Sequence, residues 1–416
     1  MLIVDLLYLA FLLLSWPFWI GRLLSPARRS LLRGRMRPQL EPGGGAAIWL
    51  HAVSLGEVRS LGSLIAALEE RGRRVVLSVT TPAGFAFARS EHPRLQVILS
   101  PLDLSWVVRR FIDRVRPQLV VFNELELWPN WIWQLRRRRI PALVINGRIS
   151  EAAFRRYRLF RPALRPFLAA IDAFLVQNDL YRQRFLSLGI AAERIAVCGN
   201  IKADEADRLA RRLPPAGEVR GRLRLAGPAR RIAVLASSHE EDEEVFLPAI
   251  PAVGGDFFFI VVPRHVERSP AIAERLRRRC VAHALFSRQR DADPSLQVLI
   301  YDLTGFLLPI MSIADIVFMG GTFSSRTGGH NLYEPAALGK PIAGGPHYES
   351  FPDIGRDLEA GGAYFRVDNG EEAWRGLLAA FAGLDAARIG AAARAAVERR
   401  RGSLACSLER IERYLA

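Results

Sequence analysis

Apolar runs of about three to six residues alternate with segments of helical periodicity, and this rhythm recurs in two halves of the chain. In the first half the strand-like runs are Ile48 to Val53, Val75 to Val79, Gln96 to Leu99, Leu119 to Phe122, Leu143 to Ile145, Ala173 to Val176 and Ile195 to Val197. Between them Val58 to Leu68, Phe85 to Arg89, Val107 to Val115 and Trp131 to Arg138 carry helical spacing. Continuous apolar strands are buried on both faces, and intervening helices supply the crossovers of a parallel sheet. The second half repeats the pattern with Ile232 to Ala236, Phe257 to Val262, Val298 to Tyr301, Ile316 to Met319 and Pro341 to Ala343. A polar, basic stretch at 206–230, containing Pro214-Pro215, breaks the rhythm and reads as a linker. The expected fold class is α/β, with Rossmann-like domains at 40–205 and 231–416 facing across a cleft where strand C-termini converge. The Ala/Arg-rich stretch after Glu371 reads as helices that close the second domain.

Residues 1–25 stand apart. From Leu2 to Leu24 the chain is apolar except for Asp5, Gly21 and Arg22, and arginines 28, 29, 33, 35 and 37 follow at once. This predicts an N-terminal membrane anchor with the rest of the chain on the cytoplasmic side. Asp5 and the Trp16-Pro17 break leave a helix lying in one leaflet as the alternative. The formal net charge is +16, with Lys202 and Lys340 the only lysines. Such a charge fits an anionic membrane or a phosphorylated substrate. No zinc finger or aromatic-basic platform favours nucleic acid. Cys198, Cys280 and Cys406 lie far apart, which predicts reduced thiols and no zinc site.

In such a fold, functional residues cluster just after strands. After the first comes His51-Ala52-Val53-Ser54-Leu55-Gly56-Glu57, where Ser54 and Glu57 open a helix. Glu57 fits either a carboxylate aimed into the cleft or an ordinary first-turn cap. After the fourth come Glu124 and Glu126, two residues apart beside Trp128, so that extended geometry puts both on one face. Arg148 follows the next strand, and Lys202 ends the first half. One of two lysines in an arginine-rich chain, Lys202 points to a need for a compact ammonium. In the second half Ser237, Ser238 and His239 follow the first strand, Pro263 and Arg264 the second, and Thr304 and Gly305 a later one. Gly328-Gly329-His330-Asn331, with Glu334 three residues on, reads as a glycine turn into a helix whose N–H groups favour an anion. Together these suit a phosphate and a pyrimidine, and no paired carboxylates of the metal-dependent type accompany them, so neither a catalytic metal nor another cofactor is expected.

With these residues set out, the chain resembles the Kdo (3-deoxy-D-manno-octulosonic acid) transferases of lipopolysaccharide assembly. The matching segments run in order: IWLHAVSLGEV from Ile48, TTPAG from Thr80, PLDL from Pro101, ELELWPN from Glu124, IPALVINGRIS from Ile140, GNIKAD from Gly199, SSHEEDEE from Ser237, VPRHVER from Val262 and GGHNLYEPAALGKP from Gly328. The resemblance implies a GT-B fold and inverting transfer from CMP-Kdo to a phosphorylated lipid A precursor, lipid IVA, at the bacterial inner membrane. It further implies Glu57 as base, Glu124 and Lys202 as transition-state supports, and CMP contacts from Pro263, Arg264, the Thr304 to Phe306 region and Asn331 to Glu334. The chain departs from the family pattern at Asn123, Leu125, Ser238, Glu241, Phe306 and Leu332-Tyr333. Another nucleotide sugar or acceptor, or a non-catalytic basic binding protein, are the competing expectations.

Overall fold

The computed structural model describes residues 2–15, 25–40, 45–225, 230–368 and 370–415. The chain forms two compact units, one of 1–205 with 401–416 and the other of 206–400. In the first unit β1 (Ala47–Ala52), β2 (Val75–Val79), β3 (Gln96–Leu99), β4 (Pro117–Asn123), β5 (Ala142–Gly147), β6 (Ala173–Val176) and β7 (Ile195–Val197) form a seven-stranded sheet. Its order is β3-β2-β1-β4-β5-β6-β7, and every pairing is parallel. Strand order reverses at β1 and β4, the switch point where open α/β sheets place their sites.

The strands read as unbroken apolar runs because both faces are covered. On β1, Trp49 enters one core with Phe111, Phe122 and Trp131, while Ile48, Leu50 and Ala52 enter the other with Val58, Leu64 and Leu68. A two-residue side-chain period therefore feeds both layers. The predicted helix Val58 to Leu68 is two helices, Leu55–Ser60 and Gly62–Glu70, with a break at Leu61.

The second unit is also a parallel sheet of seven strands: β8 (Arg231–Ser238), β9 (Phe257–Pro263), β10 (His283–Leu285), β11 (Val298–Ile300), β12 (Ile316–Met319), β13 (Ile342–Gly344) and β14 (Tyr364–Arg366), in the order β10-β11-β9-β8-β12-β13-β14. The sequence reading missed the edge strands β10 and β14. Each has three residues, too few to show a period.

Three expectations change. The stretch 206–230 is not plain linker: it holds the end of the helix Ile201–Ala210 and the helix Ala216–Arg222. The C-terminal helix Ser403–Arg413 does not close the second domain; Leu408 and Ile411 complete a core of the first unit. Cys198 and Cys406 are not both free thiols but form a disulfide, bridging a sequence separation of 208 residues. Pairing across such a separation is decided by the returning helix and leaves no local signal.

At the N-terminus the described helix Leu2–Leu14 spans 13 residues, and no described helix is long and apolar enough to cross a membrane. The rest of the expected span, Trp16 to Leu24, lies outside the described residues. Asp5, the anomaly in that apolar run, accepts from Ser105 N at 2.8 Å, Ser105 Oγ at 2.5 Å and Asn130 Nδ2 at 3.0 Å. It pins the helix to the first unit. Leu6, Leu9, Leu13 and Leu14 remain exposed, the last by 83%.

Candidate active site

Two groups of side chains form at strand C-termini, one in each unit. In the first, Ser54 caps the helix Leu55–Ser60 by accepting from Glu57 N at 3.4 Å. Glu57 reaches back, taking a hydrogen bond from Val53 N at 2.9 Å and another from Ser54 Oγ at 3.2 Å. Glu57 is thus a first-turn capping residue, in a variant of the capping box whose carboxylate takes the N–H of Val53 before the N-cap, so the bland expectation for Glu57 is met in its geometry. Its electrostatics go further: burial, then the charge of Glu124, pushes the Glu57 carboxyl up to about 7, against the lowering effect of those two hydrogen bonds and of Lys202.

Glu124, just after β4, stands at φ +60°, a left-handed conformation costly for a side chain of this kind. The loop is held there by ion pairs from two other strand ends. Arg148 Nε, after β5, donates to Glu124 Oε2 at 2.7 Å, and Lys202 Nζ, after β7, lies 3.8 Å from Oε1. The Glu126 carboxyl is also pushed up to about 7, by burial first and then by Glu57 and Glu124. Residues scattered from Glu57 to Lys202 thus form one group of three carboxylates and two cations. Below it His51 is fully buried with Nδ1 2.9 Å from Ser78 Oγ, and burial drives it down to about 3, so it is neutral. A cavity of about 480 Å³ elsewhere in this unit, lined by Phe85, Arg89, His92 and Leu99 among others, contains none of these residues.

In the second unit His239, after β8, stacks on His330 with ring centroids 5.0 Å apart and Nε2 atoms at 2.8 Å. Burial, and the charges of His239 and Arg264, push His330 down to about 3, so a neutral pair shares one hydrogen bond. Sequence reasoning missed the organiser of this group. Asp242, fully buried, accepts from Gly321 N at 2.6 Å, His239 N at 2.8 Å and Phe323 N at 3.4 Å, tying the loops after β8 and β12 together. Its only signal was a position three residues past His239, at capping distance.

The other expected contacts divide. Arg264 is exposed beside Pro263 at the end of β9, its N–H bonded to Ser238 O at 3.0 Å. Ser237 sits at φ +57°. Ser238 is fully buried and its hydroxyl serves Glu243 at 3.2 Å, so it is not available to a ligand as the sequence suggested. Thr304 and Gly305 are exposed, while Phe306 is buried beneath the Arg222 guanidinium, 4.2 Å from its ring centre. Gly328 and Gly329 have φ +65° and +80°, but their close approach is to the chain itself: an added Cβ would meet Ser350 Oγ at 3.1 Å and His347 O at 3.0 Å. The expected anion-binding helix is only Tyr333–Ala337, and Tyr333 N donates to Asn331 Oδ1 at 3.2 Å. Asn331 Nδ2 also donates to Glu334 Oε1 at 3.0 Å, so these two form a local brace. Among the described residues no group of three or more His, Cys, Asp or Glu is placed to hold a metal.

Residues 27–205 match the family model described as 3-Deoxy-D-manno-octulosonic-acid transferase (kdotransferase). The chain is 33% identical over 340 residues to the 3-deoxy-D-manno-octulosonic acid transferase of Chlamydia pneumoniae, covering 80% of this chain and 77% of that one. With the Bordetella pertussis transferase of the same name the identity is 33% over 341 residues, covering 79% and 78%. Among solved structures, a glycosyltransferase from Rickettsia africae shares the fold at a TM-score of 0.60 and 15% identity, covering 90% of this chain and 99% of that one.

Proposed function

The chain belongs to the 3-deoxy-D-manno-octulosonic acid transferase family and is a glycosyltransferase; from that premise we propose that it transfers Kdo from CMP-Kdo to a tetra-acylated, phosphorylated lipid A precursor, with inversion. The observation that carries the chemistry is the Glu57 carboxyl, raised to about 7 beside the Glu124, Arg148 and Lys202 group. A base poised near neutrality accepts a proton without being permanently protonated or inert. Glu57 takes the proton of an acceptor hydroxyl as its oxygen bonds to the anomeric carbon of the donor. The bond from that carbon to the CMP phosphate oxygen breaks, and CMP leaves with the electron pair. Within the second unit, Arg264 is the cation assigned to the CMP phosphate, and the neutral His239–His330 pair is a polar surface of that same unit. Arg148 and Lys202 spread positive charge over the group, where the donor carboxylate or the growing phosphate charge is stabilised.

The acceptor reading also draws on the surface of the first unit. The exposed leucines of the helix Leu2–Leu14 adjoin in sequence an arginine-rich helix, Pro26–Met36, with Arg29, Arg33 and Arg37 at or just past its exposed surface. Leu159 and Phe160 stand exposed among Arg155, Arg156, Arg158, Arg161 and Arg165. Apolar side chains ringed by cations fit the interface of an anionic bilayer, and they support a reading in which the enzyme works at the cytoplasmic face of the inner membrane with its N-terminal helix lying in one leaflet.

Incubation with CMP-Kdo and a tetra-acylated disaccharide bisphosphate, followed by mass spectrometry, tests the proposal. A product heavier by one or more Kdo units is expected. Transfer only from uridine or guanosine sugars, with none from CMP-Kdo, would overturn it.

A further inference from the structure

Arg148 arrives on the loop after β5 and Lys202 in the first turn of the helix Ile201–Ala210 that follows β7, yet both close on the same carboxylate. What sets their spacing lies underneath. Asn146, near the end of β5 and two residues before Arg148, is 3% exposed and held at φ +54°, where the strand's register shifts. Gln177, directly after β6, donates from Nε2 to both the backbone O and the Oδ1 of Asn146, each at 3.1 Å. Asn200 Nδ2 donates to Gln177 Oε1 at 3.3 Å, and Asn200 Oδ1 accepts from Lys202 N at 3.0 Å. Gln177 and Asn200 are 7% and 8% exposed.

A buried line of three amides is a costly way to fill space, because an apolar trio packs without the desolvation of six polar groups. The line does what apolar packing does not: it fixes direction and spacing. An amide both donates and accepts from one rigid plane, whereas a carboxylate lacks the donor and a hydroxyl lacks the reach. Asn146 at a left-handed φ is a strained residue of the kind that persists where surrounding bonds over-determine it, and both Gln177 bonds end on it.

We propose that Gln177 is a positioning residue of the transfer reaction, coupling the Arg148 loop through Asn146 to the start of the Lys202 helix through Asn200, so that both cations meet Glu124. The proposal rests on the reading of Glu57 as base. Glu57 faces Glu124 and Glu126 from the loop after β4, Arg148 from the loop after β5 and Lys202 from the first turn of the helix Ile201–Ala210. Loosening that first turn draws away a charge that favours ionised Glu57, so the pH below which activity fails moves upward.

The test uses the full chain with Gln177→Met, which keeps volume and abolishes both amide links, and Gln177→Glu, which keeps only the acceptor for Asn200. Leu68→Ala, a fully buried core change in the same unit, is the control for general destabilisation. Because Lys202 and Lys340 are the only lysines, limited reductive methylation read by mass spectrometry reports Lys202 against an internal reference. In both Gln177 variants the Lys202-to-Lys340 labelling ratio is expected to rise by about threefold or more, as a local opening would cause. Their kcat is expected to fall by about 10-fold or more with little change in acceptor KM, and the acid limb of the pH profile to shift up. Leu68→Ala is expected to alter neither the ratio nor the limb. A folded Gln177→Met with wild-type labelling and a wild-type limb would overturn the proposal, as would the same shifts in Leu68→Ala. If the wild-type protein transfers no Kdo, the labelling ratio still reads the amide line independently of that function.

Discussion

Glu57 shows how one side chain serves two ends. Its carboxylate receives the Val53 N–H and the Ser54 hydroxyl at the start of its helix, yet burial and Glu124 raise its proton affinity more than those bonds lower it. A base must be ionised to act, so transfer is expected to fall as pH drops through about 7, measured as kcat/KM against pH. Stability runs the other way. A carboxyl whose folded pKa is above its unfolded value binds its proton more tightly when folded, so ionisation costs stability as pH rises from about 4.5 to about 7. Glu57→Gln is therefore expected to lower transfer by about 10²–10⁴-fold while raising the unfolding midpoint at pH 8. Full activity in that variant would remove Glu57 as base. Asp242 is the counterpart in the second unit. Asp242→Ala strands three N–H groups, that of Gly321 buried and those of His239 and Phe323 partly so, and is expected to destabilise that unit by about 2 kcal/mol or more in urea titration, and to weaken CMP binding with it.

At the scale of elements, the N-terminal helix is decided by Asp5. The described helix of 13 residues rises about 20 Å, and its one carboxylate is bonded to Ser105 and Asn130. The leucines on its exposed side are the side chains that the proposed leaflet contact would use. Replacing Leu6, Leu9 and Leu13 by serine is expected to weaken binding to vesicles containing anionic lipid by about 10-fold or more in a flotation assay, with folding unchanged. Equal binding would put the bilayer contact elsewhere. The departures of Phe306 and Leu332 from the family pattern also resolve at this scale. Phe306 fills a cluster with Tyr301 and the Arg222 guanidinium, and Leu332 is fully buried, so both changes are read as packing.

For the whole molecule, the chain leaves its first unit at Glu205 and returns to it at Arg401. The returning helix brings Leu408 and Ile411 to a core and Cys406 to Cys198, one residue before the Gly199–Lys202 loop. Ser403 Oγ adds a hydrogen bond to Gly199 O at 3.1 Å, and Asp204 caps the helix through Gly402 N and Leu404 N at 3.0 and 3.1 Å. A chain ending at Arg400 is expected to destabilise the first unit by about 3 kcal/mol or more and to leave 206–400 folded, read by hydrogen exchange of each unit. Dithiothreitol is expected to lower the unfolding midpoint of the first unit as well, by an amount equivalent to about 2–4 kcal/mol; an unchanged midpoint would mean that the Cys198–Cys406 bond contributes nothing.

The sequence by itself determined the α/β class, the positions of the longer strands and the order of the motifs at their ends. Those depend on local periodicity, and a strand buried on both faces writes its signal into consecutive residues. It also pointed to Glu57, Glu124, Lys202, His239 and His330 as residue types placed just after strands. Only the tertiary structure decided which cations close on Glu124, that Ser238 turns inward, that Gln177 joins Asn146 to Asn200 and that the last helix belongs to the first unit. Each of these is a contact between segments distant along the chain, and its energy depends on the direction of a side chain after every intervening element has packed.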